Sequence, residues 1–174
     1  KTGQRLMSNI TVVDNSTGYV VALGSTAEKT VNRGSLWPVT SRRQPGSAIK
    51  PVSVYAPAIE MGLITPASVF DDNPYLLNGK LWPLNVEANY GGLTTVADAV
   101  TVSLNTVALR VVELMTPQAS YDFMEKKFGF TTLEPYYVNS LGEVKSDIDR
   151  SPLSMGGLTW GVTTFEMAAA YASF

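Results

Sequence analysis

A serine and a lysine three residues apart lie in Arg42-Arg43-Gln44-Pro45-Gly46-Ser47-Ala48-Ile49-Lys50-Pro51, where a loop gives way to a helix. On a helix, positions i and i+3 share a face, so the Ser47 hydroxyl and the Lys50 amine can meet. Pro45-Gly46 breaks what comes before, and the apolar-rich run to Met61 predicts a helix with Ser47 at or just inside its N-terminus. Unpaired N–H groups and the helix dipole would favour an alkoxide or oxyanion there. Taken alone, the same two residues also read as an N-cap and a solvated charge. Which reading holds depends on what the rest of the chain offers.

The chain has no histidine and no cysteine. That removes Ser-His-Asp and Cys-His catalysis and the usual ligands of zinc, copper and iron–sulfur sites, so no metal or cofactor site is expected. Nucleophilic catalysis would need Lys, Asp, Glu or Tyr as its base, which favours a Ser–Lys pair. A net charge of −2, with no basic run beyond Arg42-Arg43 and Lys126-Lys127, gives no footprint for nucleic acid or anionic lipid. With 174 residues, 45% hydrophobic and 16% charged, residues 1–174 read as one globular domain. No apolar run is long enough to cross a bilayer, and no signal-peptide core follows Lys1-Thr2-Gly3-Gln4-Arg5. Any export signal or anchor is therefore expected outside this chain.

The elements that must position Ser47 and Lys50 follow from local patterns. Asn9–Asp14 and Tyr19–Gly24 are β-branched or apolar runs on either side of Asn15-Ser16-Thr17-Gly18, which predicts a β-hairpin. Residues 25–44 show no period and are expected to form a loop, with Trp37 as an anchor. The helix after Ser47 should accommodate Pro51 in its first turns, kink at Pro57 and stop at Gly62. A long irregular connection is expected from Thr65 to Gly92, of the sort that builds site walls. Thr95 with Asp98 marks a capped start, and the polar turn Ser103-Leu104-Asn105-Thr106 splits two apolar helices, with Asn105 available to cap the second. Thr116-Pro117 opens another helix that Gly129 ends. Residues 130–154 show no sustained period, and Thr163-x-x-Glu166 is a capping box before a last helix from Met167 to Phe174. Gly156-Gly157 lacks the surroundings of a phosphate loop.

Two polar clusters, Ser47/Lys50 and Ser103/Asn105, thus sit at helix ends in a chain without histidine. Together they suggest Ser–Lys acyl transfer. A neutral Lys50, its pKa lowered by burial, would take the Ser47 proton, Ser103 would relay protons, and Asn105 would hold a substrate amide.

The chain also resembles the transpeptidase domain of penicillin-binding proteins, specifically the class A, bifunctional type. The resemblance rests on residues 43–51, on Asn89-Tyr90-Gly91-Gly92, on residues 103–108 and on Gly156-Gly157-Leu158-Thr159-Trp160-Gly161-Val162 with the residues up to Ala168. It spans about residues 10–174, with several motifs in the family's order. It implies an α/β penicillin-recognising, β-lactamase-like fold, with the hairpin contributing to an antiparallel sheet and the site between sheet and helices. It further implies that Ser47 is the acyl nucleophile of S-x-x-K, Lys50 its partner, and Ser103 and Asn105 the first and third residues of S-x-N. The implied partners are the D-Ala-D-Ala ends of peptidoglycan stem peptides, and β-lactams. The implied setting is the extracytoplasmic face of a bacterial membrane, in a membrane-anchored protein with an upstream glycosyltransferase domain.

The family's third motif, Lys-Thr/Ser-Gly on a strand lining the site, is expected after the last helix, beyond Phe174. Lys1-Thr2-Gly3 precedes the first strand and is read as a coincidence. The fold is accordingly expected to be incomplete, and residues 1–174 by themselves to show little or no turnover. A D,D-carboxypeptidase or β-lactamase using the same pair, and a catalytically silent penicillin-binding sensor domain, are the competing readings.

Overall fold

In the computed structural model, which describes residues 8–25, 37–77 and 79–174, the chain opens with an antiparallel hairpin of β1 (Asn9–Val13) and β2 (Val20–Ser25). Its turn closes through Gly18 N–H to Asp14 O at 2.7 Å, as the Asn-Ser-Thr-Gly composition predicts. Within the stretch expected as a loop, the described part holds a single helical turn, α1 (Trp37–Thr40), and a β-bridge at Arg43. Lys1-Thr2-Gly3 and the Trp37 side chain lie outside the described residues.

The predicted Ser47 helix forms with three different pitches. Gly46–Ile49 is a 3-10 turn, Pro51–Tyr55 is π-helical, and α2 (Ala56–Glu60) is regular. The kink expected at Pro57 takes the form of that widened π stretch. Pro57 has no N–H to return to the preceding turn, and a carbonyl of that turn, Ser53 O, accepts instead from the Ser120 hydroxyl at 2.6 Å. This helix is the centre of the core. Ile49, Val52, Val54 and Ala58 are all at 0% exposure, which is the pattern of a helix covered on every side.

The connection expected to be irregular carries β3 (Val69–Asp72) and a small hairpin of β4 (Leu76–Leu77) and β5 (Lys80–Leu81), and ends in β6 (Gly92–Thr95), which pairs with β3. Local Asp, Asn and Pro residues conceal strands this short. Thr95 caps α3 (Val96–Thr101), and α4 (Asn105–Met115) follows after the polar turn. The fully buried face of α4, with Val107, Ala108, Val111 and Val112, packs on the central helix. Thr116 caps α5 (Pro117–Lys126). Residues 130–154, without period in sequence, contain the two-residue strands β7 (Tyr137–Val138) and β8 (Val144–Lys145) and the short helix α6 (Arg150–Met155). Elements of two to six residues are too short to show a period. Among the described residues the strands pair only two by two.

The last helix, α7 (Thr164–Tyr171), begins three residues earlier than expected. Its capping box is complete, with Glu166 Oε2 accepting from Thr163 N–H at 3.0 Å and Thr163 Oγ1 accepting from Glu166 N–H at 3.1 Å. Glu166 also accepts from Thr131 N–H at 2.8 Å, Thr132 N–H at 3.1 Å and Thr132 Oγ1 at 2.9 Å. It therefore joins α7 to the irregular segment after α5. Burial alone would raise its pKa, but the hydrogen bonds from Thr163, Thr131 and Thr132 outweigh burial and hold it below the ordinary value.

Glu166→Ala should therefore cost on the order of 3 kcal/mol in urea unfolding, because three N–H groups, two of them buried, lose their acceptor. A folded pKa below the unfolded one gives stability that is complete above the unfolded value of 4.5 and is lost as pH falls through the lower folded value. The stability difference between Glu166→Ala and the parent should accordingly narrow in acid, and a constant difference down to acid pH would contradict this role.

Candidate active site

Ser47 stands second in the 3-10 turn, on the exposed side, and its hydroxyl has no hydrogen-bond partner among the described residues. The segment before it is strapped to the segment before α7. Arg43 and Val162 exchange two backbone hydrogen bonds of 2.9 Å each, Gln44 Nε2 donates to Leu158 O at 2.6 Å, and Gly46 N–H donates to Gly156 O at 3.3 Å. The two glycines of the later segment are demanded by this contact. A Cβ on Gly156 would lie 2.1 Å from Gly46 O, and one on Gly161 would lie 2.4 Å from the Arg43 carbonyl. Both also have positive φ, +73 and +79°. Sequence alone marked these glycines without assigning them work; their work is to admit the Ser47 loop.

One turn after Ser47, Lys50 points inward and is 2% exposed. Its backbone N–H closes the turn onto Ser47 O. Its amine donates to Asn105 Oδ1 at 2.6 Å, to Ser103 O at 2.8 Å and to Ser103 Oγ at 3.1 Å. All three acceptors are uncharged. Burial lowers the Lys50 pKa from 10.5 to about 8. An amine in this setting is a base near neutral pH. When neutral, it keeps two N–H groups for the carbonyl oxygens and presents a lone pair to a hydroxyl.

The two acceptor residues come from the turn between α3 and α4. Ser103 has φ +57°, a left-handed conformation that reverses the chain and brings its carbonyl to Lys50. The expectation that Asn105 caps α4 is not met. Leu104 occupies the N-cap position without a side-chain bond, and Asn105 is the first helical residue. The Asn105 amide goes outward, with Oδ1 on Lys50 and Nδ2 donating to Leu84 O at 2.7 Å. The cationic amine is the stronger partner for its oxygen, and the α4 amides are met from elsewhere, by Asn85 Oδ1. Leu84 and Asn85 were not singled out from the sequence, although the connection that carries them was expected to build a wall.

A pocket of about 440 Å³ adjoins this turn, lined by Asn85, Glu87, Tyr90, Ser103 and Leu104 among others. A larger cleft of about 630 Å³, around Tyr137 and Trp160, holds none of the four candidate residues. The hairpin packs on α7 and α1, and among the described residues it sends no hydrogen bond to Lys50, Ser103 or Asn105. The described walls are therefore helix ends and loops.

Residues 9–174 match the family model described as penicillin binding protein transpeptidase domain. The chain belongs to this family. Penicillin-binding protein 1A of Streptococcus oralis is 30% identical over 168 residues, covering 94% of this chain and 25% of that protein. Penicillin-binding protein 1A of Neisseria meningitidis is 33% identical over 178 residues, covering 97% of this chain and 20% of that protein. The chain thus spans a fifth to a quarter of the length of these relatives, whose type agrees with the class A resemblance. Among solved structures, penicillin-binding protein PonA1 from Mycobacterium tuberculosis superposes with TM-score 0.72 at 24% identity, over 96% of this chain and 41% of that one. The transpeptidase domain of Burkholderia pseudomallei penicillin-binding protein 3 gives 0.70 at 21% identity, over 95% and 49%. These likenesses bear out the α/β fold.

For a transpeptidase domain of this family the strap before Ser47 has a measurable consequence. Gly161→Ala must displace Arg43 and with it the Ser47 turn, so labelling by a fluorescent penicillin should slow by about tenfold or more while the far-ultraviolet spectrum stays folded. Labelling at the parent rate would show that the strap does not set the Ser47 position.

Proposed function

We propose that the protein is a serine D,D-transpeptidase that cross-links peptidoglycan stem peptides through an acyl-enzyme on Ser47. The observation that carries this reading is the buried, uncharged surroundings of Lys50 one turn after an exposed Ser47. Lys50 in its neutral form takes the Ser47 Oγ proton as Oγ attacks the carbonyl carbon between the two terminal D-Ala residues. The Ser47 backbone N–H, in the first turn of its helix, is a donor for the oxyanion. The peptide C–N bond then breaks, the proton passes from Lys50 through Ser103 Oγ to the leaving D-Ala nitrogen, and the acyl group remains as an ester on Ser47. Asn105 faces the substrate backbone. An amine of a neighbouring stem attacks the ester, gives its proton back toward Ser47, and leaves a new amide as the cross-link. A β-lactam follows the first half of this path: its ring C–N bond breaks and the acyl group stays.

In its natural setting we place the chain on the extracytoplasmic side of a bacterial membrane, in a membrane-anchored protein with an upstream glycosyltransferase domain. The much greater length of the 1A relatives supports this. No helix among the described residues is long and apolar enough to cross a membrane. The third wall, with Lys-Thr/Ser-Gly, would come from residues outside 1–174.

Intact mass and peptide mapping after incubation of the natural protein with a fluorescent penicillin should locate one adduct, on Ser47, and none in Ser47→Ala. A folded protein without a Ser47 adduct would refute acyl transfer. Lys50→Ala should slow labelling by roughly a thousandfold. Because the neutral amine is the base, the labelling rate should rise with pH through a midpoint near 8, the lowered pKa of Lys50. A pH-independent rate between 6 and 9, roughly the span over which such a group titrates, would remove Lys50 from that role. With a stem-peptide donor and an amine acceptor, a cross-linked product supports the transpeptidase, and release of D-Ala with water as the only acceptor identifies a hydrolase.

A further inference from the structure

We propose that Asn85, braced by Asp72, is a positioning residue for this reaction: it caps α4 from outside the helix and so frees the Asn105 side chain to hold Lys50. The inference rests on the Ser47–Lys50 reading above and extends it to residues 20 and 33 positions upstream of Asn105.

The first amides of a helix need an acceptor, and an asparagine at a helix start ordinarily turns its own oxygen toward them. Here that oxygen is on Lys50, and the local N-cap residue, Leu104, has no acceptor in its side chain. Asn85 Oδ1 fills the gap, accepting from Asn105 N–H at 2.9 Å and Thr106 N–H at 3.4 Å. The Asn85 side chain is 5% exposed and fully used, since its Nδ2 donates to Asp72 Oδ1 at 2.8 Å and to Asn89 O at 3.1 Å.

The orientation of the Asn85 amide is decided by Asp72. A carboxylate oxygen beside Nδ2 accepts its hydrogen; a flipped amide would set oxygen against carboxylate and N–H against the Asn105 N–H. Asp72 is 1% exposed and held by two further hydrogen bonds and by its own strand. It accepts from the Thr106 hydroxyl through Oδ1 and from Gly91 N–H at 2.7 Å through Oδ2, and it is anchored in β3. Burial raises its pKa, but the bonds from Thr106, Gly91 and Asn85 and the charge of Arg110 outweigh that and keep it ionised. The result is a line of directed bonds from Asp72 through Asn85 to the Asn105 backbone, and through the Asn105 side chain to Lys50.

If Asn85 is removed, the first amides of α4 lose their acceptor, and the Asn105 oxygen at the helix start should turn from Lys50 to its own helix. Lys50 loses an acceptor that favours its charged form, so its pKa should fall further. The test measures labelling of the natural protein by a fluorescent penicillin as a function of pH, with thermal melting as the check on folding. Asn85→Ala should slow labelling by about tenfold or more and move the midpoint to lower pH, a shift that a merely loosened fold would not produce. Asn85→Asp sets two carboxylates together and should be slower still. Adding Asp72→Asn restores one donor between them while the carboxylate at position 85 keeps its acceptor on α4, so the double variant should label faster than Asn85→Asp alone. If the parent forms no Ser47 adduct, the underlying reading fails. If the parent labels, an unchanged rate and midpoint in Asn85→Ala, or equal rates for Asn85→Asp with and without Asp72→Asn, overturns the positioning role.

Discussion

The structure depends on a lysine amine held out of water by acceptors that carry no charge. Among the described residues Lys50 makes no salt bridge; it has two carbonyl oxygens and a hydroxyl. A carboxylate in their place would raise the Lys50 pKa and hold its proton. Uncharged acceptors keep the amine oriented while burial keeps it basic near neutrality. The folded pKa of about 8 lies below the unfolded 10.5, so the unfolded chain binds more protons between those values. This single group therefore destabilises the fold below pH 8, and its cost declines as pH rises through that window. The cost is roughly 3 kcal/mol at neutral pH, a large fraction of an ordinary domain's stability. The dense apolar packing around Ile49, Val52 and Val54 is what tolerates it.

Other features serve to keep that amine and the Ser47 turn in place. The glycines at 156 and 161 let two backbones approach within hydrogen-bonding distance, so the Ser47 turn is fixed by main chain on its outer side. The left-handed Ser103 fixes the inner side. Ser120 occupies the carbonyl that Pro57 leaves open, and so ties α5 to the central helix.

What was legible in the sequence was what is written locally. Thr95, Thr116 and Thr163 with Glu166 announced helix starts because a cap and its amides lie within three residues of each other. The polar turn at Ser103 and Asn105 stood out because apolar helices flank it, and the absence of histidine directed attention to Lys50. Asn85 and Asp72 were invisible for the opposite reason: their partners are 20 and 34 residues away, and nothing in a stretch of asparagines and prolines says which one will reach a helix. The strands β7 and β8 were missed because two residues cannot show an alternation. Asn105 was read as a cap because sequence shows the helix start but not the buried cation that competes for its oxygen.

The tight turn at Gly46–Ile49 also decides how Ser47 and Lys50 are arranged around the helix axis. In a regular α-helix, residues three apart are offset by about 60° around the axis, so a lysine there would sit to one side of the serine. At three residues per turn the offset vanishes and the side chains eclipse. Residues 47 and 50 therefore leave the backbone on the same side of the turn, and the helix widens into its π stretch only after the lysine has been set. The change of pitch works as an alignment device: it sets the serine and the lysine of a spacing found in many helices on one line before the helix widens.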